Sequence, residues 1–333
     1  MAFSELLLAW AQLQRGGPGE EGARLAEEAH ATFVELGDLW GEAYAGRARF
    51  AFETYYRGLS EDAEAAGRRA LAQFQSLDDQ WGLAQTHFSL AEIARARGDL
   101  AGAAAAWEGA LAAARDGGPL WVMLASLVEL GGVLALQGDE ARAAALHGEA
   151  VALFRRTGQP RGFAHLYNEL GGIARVRGDL ERARQLHQEA LAIVREVVGW
   201  SVPHTLAELA CAEARLGDLD GAEAHLNEAA GLLRTVPQPA TAASVLVAAA
   251  LVALGRDRPE EAARLLAAAE AVRERAGFTA VGAERHEADL AAESVRARLD
   301  ADALAAAQAD GWARDGEDLL RDLVARAATR ADH

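Results

Sequence analysis

Four groups of residues have the types and spacing that chemistry needs. His147 and His187 stand 40 positions apart and could offer imidazoles to a metal. His165, His204 and Glu208 could be gathered in one pocket. Asp218-Leu-Asp-Gly221 has the opening of a calcium loop, and Cys211 is a lone thiol. Most of these meet a physical objection. Equivalent positions on packed helices sit on the order of 10 Å apart, too far for two imidazoles on one zinc ion. The calcium-like stretch lacks the later ligands and the bidentate Glu, so Asp218 is expected to cap a helix. The sequence has no Gly-x-Ser-x-Gly elbow, no His-Glu-x-x-His helix and no phosphate-binding Gly-x-x-x-x-Gly-Lys-Ser/Thr loop. The expectation is a non-enzyme without metal or cofactor. A pocket around His165, His204 and Glu208 stands as the catalytic alternative.

The elements that must position these residues are legible from one stretch, Leu170-Gly-Gly-Ile-Ala-Arg-Val-Arg-Gly-Asp-Leu-Glu-Arg-Ala-Arg-Gln-Leu-His-Gln-Glu-Ala190. It predicts the end of one helix, a Gly178-Asp179 turn and the start of an antiparallel second helix. The turn glycine recurs at Gly17, Gly58, Gly98, Gly138, Gly217 and Gly255, so the chain is a repeat protein with a period of about 40 residues. Before the turn comes a large-then-small pair: Leu90-Ala91, Leu130-Gly131, Leu170-Gly171, Leu209-Ala210. After it come small residues at Ala63, Ala103, Ala143, Ala183 and Ala222, and again at Ala70, Ala110, Ala150, Ala190 and Ala229. Small residues let two helix backbones approach while the leucines fill the space beside them. The glycine provides a left-handed C-cap and the following Asp or Ser an N-cap. A single hairpin cannot bury its apolar stripe, so neighbours must stack.

This spacing resembles the tetratricopeptide repeat, with Leu-Gly, Gly-Asp-x-x-x-x-Ala and a later Ala at matching offsets. The period exceeds the usual 34 residues by roughly a turn and a half of helix. Four copies match well, between about residues 80 and 235, and those at Gly17, Gly58 and Gly255 are degenerate. The expected fold is an all-α, right-handed α-solenoid of seven such hairpins over residues 1–277, with capping helices over 278–333. The hairpins are expected at 4–15 with 20–36, 40–57 with 61–76, 80–115, 119–157, 160–197, 200–216 with 219–234, and 240–254 with 259–276. In such arrays one face of the first helices lines a concave groove. The resemblance places Tyr55, Gln85, Glu92, Arg95, His165, Asn168, Arg175 and His204 on that face, with Arg95 and Arg175 at the repeat position of Tyr55. These cations, hydrogen-bonding groups and aromatics suit a peptide, a protein or a small polar or anionic ligand. They do not reproduce the Lys-Asn-Asn-Lys-Arg clamp that holds chaperone C-termini. Trp40, Trp81, Trp121 and Trp200 each stand at the start of a first helix and are expected to plug the junction with the preceding hairpin. Trp107 and Cys211 are expected in the core, and His147 and His187 in packing or at the surface.

Composition narrows the functions. A net charge of -17 and a pI near 5.0 argue against unaided nucleic-acid binding, which draws on Lys and Arg against phosphate. The most apolar run, Ala240 to Leu254, is too short and too alanine-rich to span a membrane and fits a buried helix. A single cysteine excludes an intramolecular disulfide and suits a reducing cytoplasm. The chain opens on an amphipathic helix with almost no leader and no signal-peptide pattern, as an excised fragment or an early capping repeat would.

The C-terminal part carries a second resemblance. Glu260-Glu-Ala-Ala-Arg-Leu-Leu-Ala-Ala-Ala-Glu-Ala-Val-Arg-Glu-Arg-Ala-Gly277 precedes a charged helix from about Val281 to Leu299. Leu304-Ala-Ala-Ala-Gln-Ala-Asp-Gly-Trp-Ala-Arg-Asp-Gly-Glu-Asp-Leu-Leu320 follows, with further helices expected at 300–310 and 316–328. This resembles the end of the repeat region in bacterial signal-transduction ATPases, among them LuxR-type and antibiotic-regulatory proteins. The resemblance implies a cytoplasmic sensor or interaction region of a transcriptional regulator. The ATP-binding and DNA-reading parts of that family have no counterpart in this sequence. A stand-alone scaffold is the alternative, and the oligomeric state stays open.

Overall fold

The structure, a computed structural model, describes residues 2–15, 19–52, 61–158, 160–197, 201–234, 238–314 and positions 316, 318 and 321. Among these residues there are sixteen helices and no strand. They run as successive pairs: α1 (Ala2–Arg15) with α2 (Gly19–Leu36), α3 (Leu39–Phe52) with α4 (Glu61–Leu77), α5 (Gln80–Ala96) with α6 (Leu100–Arg115), and α7 (Leu120–Leu136) with α8 (Glu140–Thr157). Then follow α9 (Pro160–Val176) with α10 (Leu180–Val197), α11 (Val202–Leu216) with α12 (Leu219–Leu233), α13 (Pro239–Gly255) with α14 (Pro259–Ala276), and finally α15 (Gly282–Arg298) and α16 (Ala301–Ala313). This is the all-α array of stacked hairpins that defines an α-solenoid. The chain divides into two compact units, Met1–Val133 and Leu134–His333, with the division inside α7. The end of the expected 40–57 helix, including Tyr55 and Tyr56, and most of the expected 316–328 helix lie outside the described residues.

The turns follow the glycine-aspartate code. Gly98, Gly138, Gly178 and Gly217 all have positive φ, between 78° and 86°. Asp99, Asp139, Asp179 and Asp218 then accept a backbone N–H three residues on and cap α6, α8, α10 and α12. Asp218 is thus a helix cap. The degenerate copy departs from the code. Gly255 is the last residue of α13, and Asp257 takes the left-handed conformation instead, at φ 58°.

In the first unit the core is built from Ala43, Ala48, Phe33, Phe52 and Phe74, with Tyr44 at its margin. Two junctions between hairpins are filled by phenylalanines of the preceding helix. Phe33 of α2 lies on Gly41 and Phe74 of α4 on Gly82, where an added Cβ would stand 2.1 and 2.3 Å from the ring. This corrects the expectation for the tryptophans. With those two junctions occupied, Trp40 and Trp81 remain at the edge, 42% and 46% exposed, and Trp121, against Phe88, is 50% exposed. Trp200 lies outside the described residues. Trp107 on α6 is fully buried, as is Cys211 on α11.

The second unit centres on α13, whose alanines, valines and leucines are buried on nearly every side against α11, α12, α14 and α15. No helix among the described residues is long and apolar enough to cross a membrane. The last two of the described helices pack differently. α16 packs along α14. α15 turns back over α13 and reaches α9. The α14–α16 crossing is close because residue 311 is glycine: a Cβ there would meet the carbonyl oxygen of Arg264 at 2.1 Å. Gly311→Val is therefore expected to push α16 off α14, at about 1–3 kcal/mol as for other overpacked sites. Limited proteolysis at the Leu299–Asp300 connection would report the detachment.

Candidate partner-binding faces

In the second unit the first-helix face is built around Arg175, in the last turn of α9 and with no solvent exposure. Gly172, one turn earlier, thins α9 so that Ala283 of α15 comes within van der Waals reach, 3.3 Å from where a Cβ would stand. Glu287 follows Ala283 by four residues and so shares its face of α15. Its Oε1 accepts from Arg175 Nη1 at 3.4 Å and from Arg215 Nη1 at 2.9 Å. Arg175 Nη2 donates to Glu208 of α11, and Arg215 also donates to the Arg175 carbonyl at 2.9 Å. Two cations and two carboxylates thereby neutralise one another across α9, α11 and α15. Burial pushes the Glu208 carboxyl up, but the charge of Arg175 outweighs it and brings it below its ordinary value.

A neutral chain of hydrogen bonds lies alongside. Asn168 Nδ2 donates to Thr205 Oγ1 at 2.8 Å, and Thr205 donates to the Ser201 carbonyl. The Asn168 carbonyl oxygen is left to face His187 Nδ1 at 3.2 Å, so that nitrogen carries the proton. Burial, and then the charge of Arg175, depress His187 to about 3, so its imidazole is neutral. Burial pushes the Cys211 thiol well above its usual value, which makes it a poor nucleophile.

The expected groove residues divide between the two units. Tyr55 is outside the described residues. In the first unit Gln85 is buried, accepting from Arg47 at 2.9 Å and donating to the Trp81 carbonyl at 3.3 Å. Glu92 and Arg95 form a half-exposed pair at 3.0 Å, with Glu129 at 3.9 Å from Arg95. In the second unit His204 is exposed, His165 is half-buried, and Asn168 is buried in the hydrogen-bond chain. Arg175 is the main departure from the expectation. It is sealed beneath α15, with its charge committed to Glu208 and Glu287. The Glu208 of the catalytic alternative is likewise committed to Arg175.

Sequence reasoning missed Arg215 and Glu287. Glu287 reads as one more charge on a charged helix, and only its spacing from Ala283 hints at a packed face. Among the described residues no group of three or more potential metal ligands occurs. A separate cavity of about 670 Å³ lies between α14, α15 and α16, with an alanine-rich floor, the Arg285–Asp289 ion pair on its rim and Trp312 beside it.

Comparison with known proteins adds the following. Residues 162–235, under a quarter of the chain, match the tetratricopeptide repeat family. No curated protein sequence matches. Among solved structures, the chain is similar to the Cut9–Hcn1 hetero-tetramer of the anaphase-promoting complex, at 20% identity and a TM-score of 0.59, over 89% of this chain and 49% of that one. It is also similar to a Rap protein complexed with competence and sporulation factor, at 14% identity and a TM-score of 0.55, over 93% and 99%. A third likeness is to a signal-transduction ATPase with numerous domains and a tetratricopeptide repeat sensor, from Pyrococcus horikoshii. It has 16% identity and a TM-score of 0.54, over 82% of this chain and 42% of that one. At these identities the likeness establishes the fold alone: the chain is an all-α protein, and residues 162–235 carry tetratricopeptide-type hairpins.

Proposed function

We propose that this chain is a non-catalytic, protein- or ligand-binding tetratricopeptide-type domain, the cytoplasmic sensor or interaction region of a bacterial transcriptional regulator. One observation carries the reading. The first-helix face of the second unit already holds a helix, α15, by seating its Glu287 carboxylate on Arg175 and Arg215. A face of this kind recognises a carboxylate-bearing segment. Arg95 stands at the repeat position of Arg175 and is half-exposed, beside Glu92. It is the residue we assign to an incoming acidic peptide or small carboxylate, which takes the place of Glu92 as the arginine's partner. Binding that favours one packing of the hairpins over another would bias whatever effector is attached. The similarity to a signal-transduction ATPase described as having a tetratricopeptide repeat sensor, and to a Rap protein described in complex with competence and sporulation factor, supports the same reading.

Native mass spectrometry of freshly purified protein, followed by a thermal-shift screen of acidic peptides and small carboxylates, tests it. A hit is expected to raise Tm by several degrees. Arg95→Ala is expected to weaken that hit about 10- to 100-fold, the loss of one charge-assisted hydrogen bond. No co-purifying molecule and no shift across the screen would favour a stand-alone scaffold that joins two proteins.

A further inference from the structure

The first unit carries a second surface, distinct from the Arg95 face and argued independently of it. Trp40, Trp81 and Trp121 stand in the first turns of α3, α5 and α7, each about half exposed. Neighbouring rings connect them into one edge. Phe3 and Trp40 have ring centres 6.4 Å apart, Trp40 and Tyr44 4.3 Å, and Tyr44 and Trp81 6.5 Å. Trp40 Nε1 donates to Asp79 at 3.0 Å, which ties the start of α3 to the turn that begins α5. Gly118, three residues before Trp121, lies against Ala84 of α5, and the Trp121 ring meets Phe88 at 5.5 Å. Tyr44 and Phe74 cover the inner side of this run, so outward-facing indole surface is what remains.

The charge of the edge is one-sided. The turns that carry the tryptophans also carry Asp38, Asp78, Asp79 and Asp116, three of them exposed, against the single cation Arg115. Aspartates beside half-exposed indoles form a surface for a cation with an apolar, planar body. A guanidinium group meets that description: it stacks on an indole face, its weak hydration makes desolvation cheap, and its fork matches a carboxylate. An ammonium group offers the charge without the plane.

We propose that this tryptophan–aspartate edge docks an arginine-bearing segment of a partner protein, with guanidinium groups stacked on Trp81 and Trp121 and paired with the neighbouring aspartates. It is a binding surface for cations, opposite in charge preference to the Arg95 face.

The test uses the full chain and a synthetic peptide of alternating arginine and glycine, with lysine-for-arginine and glutamate-for-arginine versions as comparators. Titration is followed by intrinsic tryptophan fluorescence and by calorimetry. The arginine peptide is expected to change the emission saturably, to bind several-fold tighter than the lysine peptide and to leave the glutamate peptide inert. Trp81→Ala and Trp121→Ala are each expected to weaken binding about two- to fivefold, as exposed cation–π contacts do. Because both rings are half-exposed, melting temperatures should stay near that of the parent. Asp78→Asn should weaken binding further at low salt than at high salt. Equal affinity for the arginine and lysine peptides, or affinity untouched by both tryptophan variants, would overturn the proposal and leave only the attraction of an acidic chain for any cation. A sedimentation shift from dimer to monomer in Trp81→Ala would overturn it in favour of a second copy of this chain on the same edge.

Discussion

Replacing Arg175 with alanine is expected to destabilise the second unit by about 3–5 kcal/mol, the cost of breaking a buried ion pair from one side. Arg175 is fully buried, and its guanidinium compensates Glu208 and Glu287, the second of which is itself fully buried. Without it Arg215 alone faces Glu287, and Glu208 loses its partner. Urea unfolding followed by circular dichroism would show the loss as a lower midpoint. Proteolysis in the Gly277–Gly282 connection would show α15 released. The quadruple change Arg175→Met, Arg215→Met, Glu208→Gln, Glu287→Gln removes the charges together and is expected to recover most of the stability, because desolvating the ions offsets much of what they gain from one another. A single Arg175→Ala variant within about 1 kcal/mol of the parent would mean that the network does not hold α15 in place. The same result bears on ligand mapping. Arg175→Ala confounds binding with folding, whereas Arg95, half-exposed, reports binding cleanly.

Acid is expected to unfold the second unit through His187. The imidazole is held neutral in the folded chain, at about 3, against an ordinary value of 6.5. Between those values the unfolded chain takes up a proton that the folded chain refuses. Stability is therefore fully present above about pH 6.5 and falls as the pH drops toward 3, by an amount on the order of 5 kcal/mol if the imidazole stays buried throughout. Glu208 works in the same direction: Arg175 keeps it ionised in the folded chain to a lower pH than in the unfolded one, so its contribution is also lost in acid. His187→Gln can still donate to Asn168 and cannot titrate. It should flatten the dependence of the urea midpoint between pH 6.5 and 4, leaving only the Glu208 part. An unchanged slope in His187→Gln would place the acid sensitivity elsewhere.

What the sequence by itself determined is the repeating part. A glycine with positive φ followed by a capping aspartate, and alanines at fixed offsets where backbones approach, are local requirements met afresh in every hairpin, so they leave a period that can be read directly. The same logic placed Trp107 and Cys211 in the core, where a helix has only one face to bury. It could not settle the edge, because filling a junction takes one aromatic and the sequence offers two. The tertiary structure chose Phe33 and Phe74 over Trp40 and Trp81, since glycine at Gly41 and Gly82 admits the ring from the preceding helix. It also decided the fate of Arg175. Its repeat position marks it as groove-lining, but its partner Glu287 is 112 residues away on a helix outside the repeat. A contact made once leaves no period. Only the packing of α15 over α9 and α13, along the apolar surface that the repeats leave uncovered, brings that carboxylate to the arginine.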